Sequence, residues 1–365
     1  MNSGVCENVN NTTWTKNCLL KYIVEPFIKD VTWHWHQNLW QAKELAKIIG
    51  EYNYNVDVTQ YNDPNAQLNK KYDLLIDNYP QNIHLYNDIL AEDCLKVYYS
   101  TTAGPTWQYR QERERLDGLY ARRGVKLPPR FDLSPYDRNI DLYDAMFLFG
   151  NEFTPSTYAE FHIPKVFLIK NTGYASLVGN NLTNKDPRTF LFFASHTQVL
   201  KGLDLLLEVF AQNKDLNLII CSNFKPETEF CKVYEKELFQ SSNIISLGFI
   251  DIASELFKKI TQVASFVVLP SCTEGMAGSV LTAMSAGLIP IISRWCGLAE
   301  DEAIYFEDCS IDCIAQTLTH YSKQSEEWIA AQSLQASHIV QTRYSPADYS
   351  ASIRLAMQGL LQYEG

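Results

Sequence analysis

The sequence lacks long apolar runs, paired cysteines and a surplus of cations. Its clearest apolar stretches, at 265–270 and 288–292, stop far short of the roughly 20 residues that a membrane-spanning helix needs. Met1–Asn17 is polar and has no apolar core, so it does not read as a secretory leader. Lysine and arginine number 31 against 42 aspartates and glutamates, for a formal charge of −11. That balance excludes nonspecific nucleic-acid binding, whose affinity rests on cations that neutralise phosphates. A single phosphate pocket needs only local cations and stays open. None of the nine cysteines forms a CxxC pair, and Cys309-x3-Cys313 has no second pair or histidine beside it. The expectation is a cytoplasmic protein with free thiols, any membrane contact being peripheral. No D-x-D motif appears, and no metal or cofactor is expected.

What is present is a regular alternation. Short apolar runs alternate with segments of helical period, the pattern of parallel sheets built from βαβ units. In the second half TFLFFAS (189–195), LNLIICS (216–222), NIISLGF (243–249), SFVVLP (265–270) and IPIIS (289–293) recur at βαβ spacing, with helices between them. In the first half YIVEPF (22–27), VDVTQ (56–60), DLLID (73–77), LKVYY (95–99), AMFLF (145–149) and KVFLI (165–169) are the candidate strands. A chain of 365 residues exceeds one ordinary core. The expectation is an α/β protein of two doubly wound, Rossmann-like domains facing a cleft, 1–175 and 176–345, with a helix at 346–365 packing back toward the first. The Asn- and Gly-rich segment 171–188 reads as the linker.

Two turns in the second half carry chemistry. In TEGMAGSVLTAMSAGLIP (273–290) a strand end feeds Glu274 and Gly275, then Met276 and Ala277, then a helix near Ser279 that Gly287 stops. Amides of Gly278, Ser279 and Val280 at that helix start favour an anion. HTQVLKG (196–202) likewise follows a strand and opens a helix, with Lys201 and Gly202 at its end. Each turn alone fits an ordinary strand–helix junction. Together a cation and a carboxylate at one sheet edge suit a sugar nucleotide, which offers a diphosphate and hydroxyls in one molecule.

The run LGFI (247–250), Leu256-Phe257 and VVLPSCTEGMAGSVLTAMSAGLIPIIS resembles the C-terminal domain of the family-4 retaining glycosyltransferases of the GT-B fold. The resemblance covers roughly 189–300. It implies a metal-independent enzyme that moves a sugar from a nucleotide-diphosphate donor to a glycan, lipid-linked or other acceptor with retention. It implies that Lys201-Gly202 binds the donor diphosphate and that Glu274 meets the transferred sugar, with Phe249 and residues 275–280 lining the donor site. The family's second glutamate, which holds ribose, falls at 282, which is Thr282. Its arginine five positions before the lysine is His196. A sugar-nucleotide epimerase or a non-catalytic partner on the same scaffold are the alternatives.

On the N-terminal side, VTWHWHQN (31–38) and TTAGP (101–105) follow strands, so His36, Asn38 and Gly104 are acceptor-side candidates. His34 and His36 lack a third ligand for a metal. The helix expected over 107–123 carries Arg110, Arg113, Arg115, Arg122 and Arg123 among acids. It reads either as a solvated face with i,i+4 pairs or as a dock for an anionic membrane or acceptor.

Overall fold

The structure, a computed structural model, describes residues 4–29, 36–130, 138–177 and 185–362. Two compact units emerge. The first gathers 1–105, 133–171 and 346–365; the second gathers 106–132 and 172–345.

The first unit holds a seven-stranded sheet of order β1-β3-β2-β4-β5-β6-β7. Its strands are β1 (Val5–Cys6), β2 (Lys16–Tyr22), β3 (Tyr54–Gln60), β4 (Tyr72–Asp77), β5 (Leu90–Ser100), β6 (Ala145–Phe149) and β7 (Val166–Ile169). All neighbours are parallel except the short edge strand β1, which runs antiparallel to β3. Helices α1 (Glu25–Ile28) and α2 (Gln37–Glu51) follow β2. Ala42, Leu45, Ala46, Ile48 and Ile49 bury the inner face of α2. Helix α11 (Pro346–Leu361) packs on α2 and β7, with Tyr349 buried.

The second unit is a six-stranded, all-parallel sheet of order β10-β9-β8-β11-β12-β13. Its strands are β8 (Asp186–Phe193), β9 (Asn217–Cys221), β10 (Ile244–Ser246), β11 (Ala264–Leu269), β12 (Ile289–Ile292) and β13 (Ile304–Tyr305). The order reverses beside β8, which places the crevice of such a sheet at the carboxyl ends of β8 and β11. Around the sheet run α4 (Leu203–Gln212), α5 (Thr228–Val233), α6 (Glu235–Gln240), α7 (Glu255–Val263), α8 (Gly278–Ser285), α9 (Ile311–Tyr321) and α10 (Glu326–Arg343). Helix α3 (Pro105–Arg123) also groups here, although in sequence it lies between β5 and β6 of the first unit.

Two doubly wound parallel-sheet units are therefore present, as the alternation predicts. One strand differs. The expected 22–27 strand is β2 at Lys16–Tyr22, and Glu25–Ile28 is a helix. Pro26 sits in its first turn, where a missing N–H costs nothing, and ends strand pairing instead. The apolar pattern hid β2 because it carries Lys21, which is fully buried and paired with Asp77.

Candidate functional site

The two chemically loaded turns meet at the carboxyl ends of β8 and β11. Lys201 follows β8 and Glu274 follows β11, and the Lys201 ammonium donates to Glu274 Oε1. Both side chains are mostly covered, at 16% and 13% exposure, so the pair is shielded yet reachable. Ser271, buried at the end of β11, donates to the same carboxylate oxygen at 2.8 Å and fixes its rotamer. Gly202 takes φ +80° at the start of α4, and a Cβ there would lie 2.5 Å from the Pro270 carbonyl. Only glycine lets the β8 and β11 turns approach so closely.

The rest of the turn is seated from behind. Ala277 N–H donates to the Cys296 carbonyl at 2.9 Å, while Met276 and Ala277 are buried and Gly275 is covered. Helix α8 buries Val280, Leu281, Ala283 and Met284, and it ends at Gly287, whose φ is +76°. Gly278 and Ser279 are half-buried at its amino end. Val280 differs from expectation: its N–H donates to the Ala277 carbonyl at 3.1 Å, because the first turn of α8 is tight. The amide is already used and does not face a ligand.

Thr282 is 3% exposed, and its hydroxyl donates to the Gly278 carbonyl at 2.8 Å, the back-bonding typical of a threonine inside a helix. His196 is exposed, and partial desolvation together with the Arg130 and Lys201 cations lowers its pKa, so the ring is neutral at pH 7. Phe249 stands 69% exposed just beyond β10, an aromatic face with nothing over most of it.

One group in this turn escapes sequence reading. Glu227, beyond β9, accepts from the amides of Thr197 at 2.6 Å and Gln198 at 3.0 Å. Thr197 adopts φ +66°, and this internal carboxylate holds it there. Those amides thus serve a side chain of the protein itself. The only textual signal is a glutamate after Pro226, which is not specific.

In the first unit, His36 caps α2: its Nδ1 accepts from the Asn38 amide at 3.2 Å. His34, the other half of the histidine pair, lies outside the described residues. Gly104 is buried; its N–H donates to Thr157 Oγ1 at 2.8 Å, and a Cβ would lie 2.0 Å from the Thr157 carbonyl oxygen. That glycine is explained by backbone approach. A fully buried ion pair was not expected either: Lys21 Nζ lies 3.0 Å from both oxygens of Asp77, which also accepts from Tyr143 at 2.7 Å.

Three arginines of α3 are structural. Arg122 donates to Asp204 at 2.6 Å and to Glu208 at 3.1 Å, Arg123 to Glu208 and Glu237, and Arg115 to the Pro270 carbonyl at 3.0 Å. These carboxylates belong to α4 and α6 of the same unit, so neither the solvated-face nor the membrane-dock reading describes these three. All nine cysteines are free thiols. No helix among the described residues is long and apolar enough to cross a membrane.

Residues 187–323 match the family model described as "Glycosyl transferases group 1", which agrees with the resemblance read from the sequence and spans the whole Lys201–Glu274 site. No curated protein matches the chain. Among solved structures, a sucrose-phosphate synthase from Thermosynechococcus elongatus is similar at TM-score 0.65 and 13% identity, over 95% of this chain and 98% of that one. HepE from Anabaena, in complex with UDP and glucose, is similar at TM-score 0.63 and 12% identity, over 95% and 99%. TarM is similar at TM-score 0.56 and 14% identity, over 79% of this chain and 54% of TarM. At such identities the likeness speaks for the fold, the GT-B arrangement of two Rossmann-like parallel-sheet domains.

Proposed function

We propose that the protein is a glycosyltransferase that moves a sugar from a nucleotide-diphosphate donor to an acceptor hydroxyl, with retention of the anomeric centre. The observation that carries this reading is the Lys201–Glu274 pair, placed by two strand ends inside the segment that matches the family model. In the free protein the pair satisfies both charges. A donor would separate it: the diphosphate takes the ammonium, and the sugar hydroxyls donate to the carboxylate, which Ser271 keeps aimed.

As the bond from the anomeric carbon to the diphosphate breaks, negative charge grows on the leaving oxygens. A fixed ammonium and the amino end of α8, near Gly278 and Ser279, stabilise that charge in place, the largest source of rate in such chemistry. Phe249 offers a stacking face for the base. Thr282 is given no ligand contact, because its hydroxyl is spent on Gly278. The acceptor is a glycan or lipid-linked saccharide, and the enzyme works in the cytoplasm or peripherally at its membrane, without a metal.

One observation favours a second reading, a partner that binds nucleotide sugars without turning them over. The two positions that the resemblance expects to be charged, 282 and 196, hold a spent hydroxyl and a neutral ring. Incubation with UDP-, GDP- and ADP-sugars and a saccharide acceptor, followed by NMR, separates the readings. Transfer that Lys201→Ala and Glu274→Ala each reduce 100-fold or more supports the enzyme. Donor binding with no turnover supports the partner, and transfer untouched by either substitution overturns the site.

A further inference from the structure

The second unit contains a cavity of about 380 Å³, within the range of small-molecule sites. Its walls come from α3, from the turn after β12 and from the segment that leads into α9. Its lining is hydrogen-bonded to the turns that carry Lys201 and Glu274. Lining residue Cys272 donates its N–H to the Leu200 carbonyl at 2.9 Å, and lining residue Ser293 donates its hydroxyl to the Ser271 carbonyl at 2.6 Å.

The chemistry of the lining is specific. Arg115, Arg122 and Arg294 line it together with Glu114, Glu307 and Asp308, three positive and three negative groups with a formal sum of zero. Such a lining has no net attraction for an ion, yet it presents many donors and acceptors. Aromatic surface accompanies it: Trp295 and Phe306 line the cavity, and Trp107 of α3 supports Trp295 edge-on with ring centroids 5.5 Å apart. Aromatic faces suit the C–H side of a pyranose, while planar amides, carboxylates and guanidiniums suit its hydroxyls.

We infer that this cavity is a binding site for a neutral saccharide, the acceptor end of the glycosyl transfer proposed above, on which this assignment of role rests. Cys272 and Ser293 tie its wall to the turns that carry Lys201 and Glu274, and neither of those two residues lines it. Five of its fourteen lining residues come from α3, so the helix that the second unit recruits from the first half of the chain has a purpose beyond packing.

The test is isothermal titration and saturation-transfer NMR on the full chain with methyl α-glucoside, methyl α-galactoside, N-acetylglucosamine, maltose and, as the anionic arm, glucose 6-phosphate. We expect at least one neutral saccharide to bind, with Kd raised tenfold or more by Trp295→Ala, less by Trp295→Phe, severalfold by the milder Gln111→Ala, and not by Lys201→Ala. Nucleoside diphosphates should show the opposite dependence. Binding that follows Lys201 and ignores Trp295 and Gln111, a tighter fit for the phosphate, or no binding by any of the five overturns the inference. Absence of transfer from every nucleotide sugar would sink the transferase reading and still leave a Trp295-dependent saccharide site standing.

Discussion

At the scale of residues, the site turns on which charges are permanent. Lys201 is a fixed cation held by Glu274, whereas His196 is neutral at pH 7 because desolvation and two nearby cations lower its pKa below the ordinary value. Replacing it with a permanent cation, His196→Arg, should tighten nucleoside diphosphate binding about three- to tenfold at pH 7.5, the gain of one charge-assisted contact. Titration calorimetry measures it. The native ring gains its charge only below its lowered pKa, so wild-type affinity should rise as pH falls toward 5 while the arginine variant stays flat. Equal affinities at both pH values would remove this turn from the donor site. Lys201, Glu274 and the end of α8 were legible because each follows an apolar strand at fixed spacing. Glu227 and the spent hydroxyl of Thr282 were not, because which side chain fills a backbone amide or carbonyl depends on packing that no local pattern encodes.

At the scale of elements, α3 shows how an electrostatic surface can be misread. Its arginines look like a solvated stripe, yet Arg122 reaches Asp204, which is fully buried at the start of α4. Burial outweighs Arg115 and Arg122 and pushes the Asp204 carboxyl up to about 6. The folded chain therefore holds that proton more tightly than the unfolded chain, whose carboxyl titrates near the ordinary value. Its contribution to stability is complete below about pH 4 and is lost as pH rises through about 6, on the order of 3 kcal/mol. Asp204→Asn should remove that part of the slope, which denaturant titrations at steps between pH 4 and 7 would show as a difference curve flat above pH 6.5. Arg122→Ala at pH 7.5 should destabilise the second unit by about 2–3 kcal/mol, because Asp204 is left buried and Glu208 loses a partner. Combining the two substitutions should recover part of the loss. Strict additivity in that cycle would mean that the pair does not interact.

At the scale of the whole molecule, the fold was legible from periodicity: ten of the eleven apolar runs sought as strands are strands, and the run at 22–27 is displaced, by a buried lysine inside β2 and a proline after it. Which segments close a unit depends on the surfaces that meet. Helix α11 lies at the far end of the sequence, yet Tyr349 packs edge-on against Trp40 at 5.6 Å and hydrogen-bonds the Tyr99 hydroxyl at 3.1 Å, both in the first unit. A unit closed by a distant segment loses its core when that segment is weakened. Tyr349→Ala removes a fully buried ring and should cost the first unit about 3–5 kcal/mol. The second unit keeps Lys201, Glu274 and α8, so a nucleoside diphosphate that stabilises the wild type should still raise the melting temperature of the second unit in the variant. Differential scanning calorimetry with and without nucleotide would resolve this as a lowered first transition beside a ligand-responsive second one; a single transition that falls as a whole and no longer answers to nucleotide would mean that donor binding requires an intact first unit.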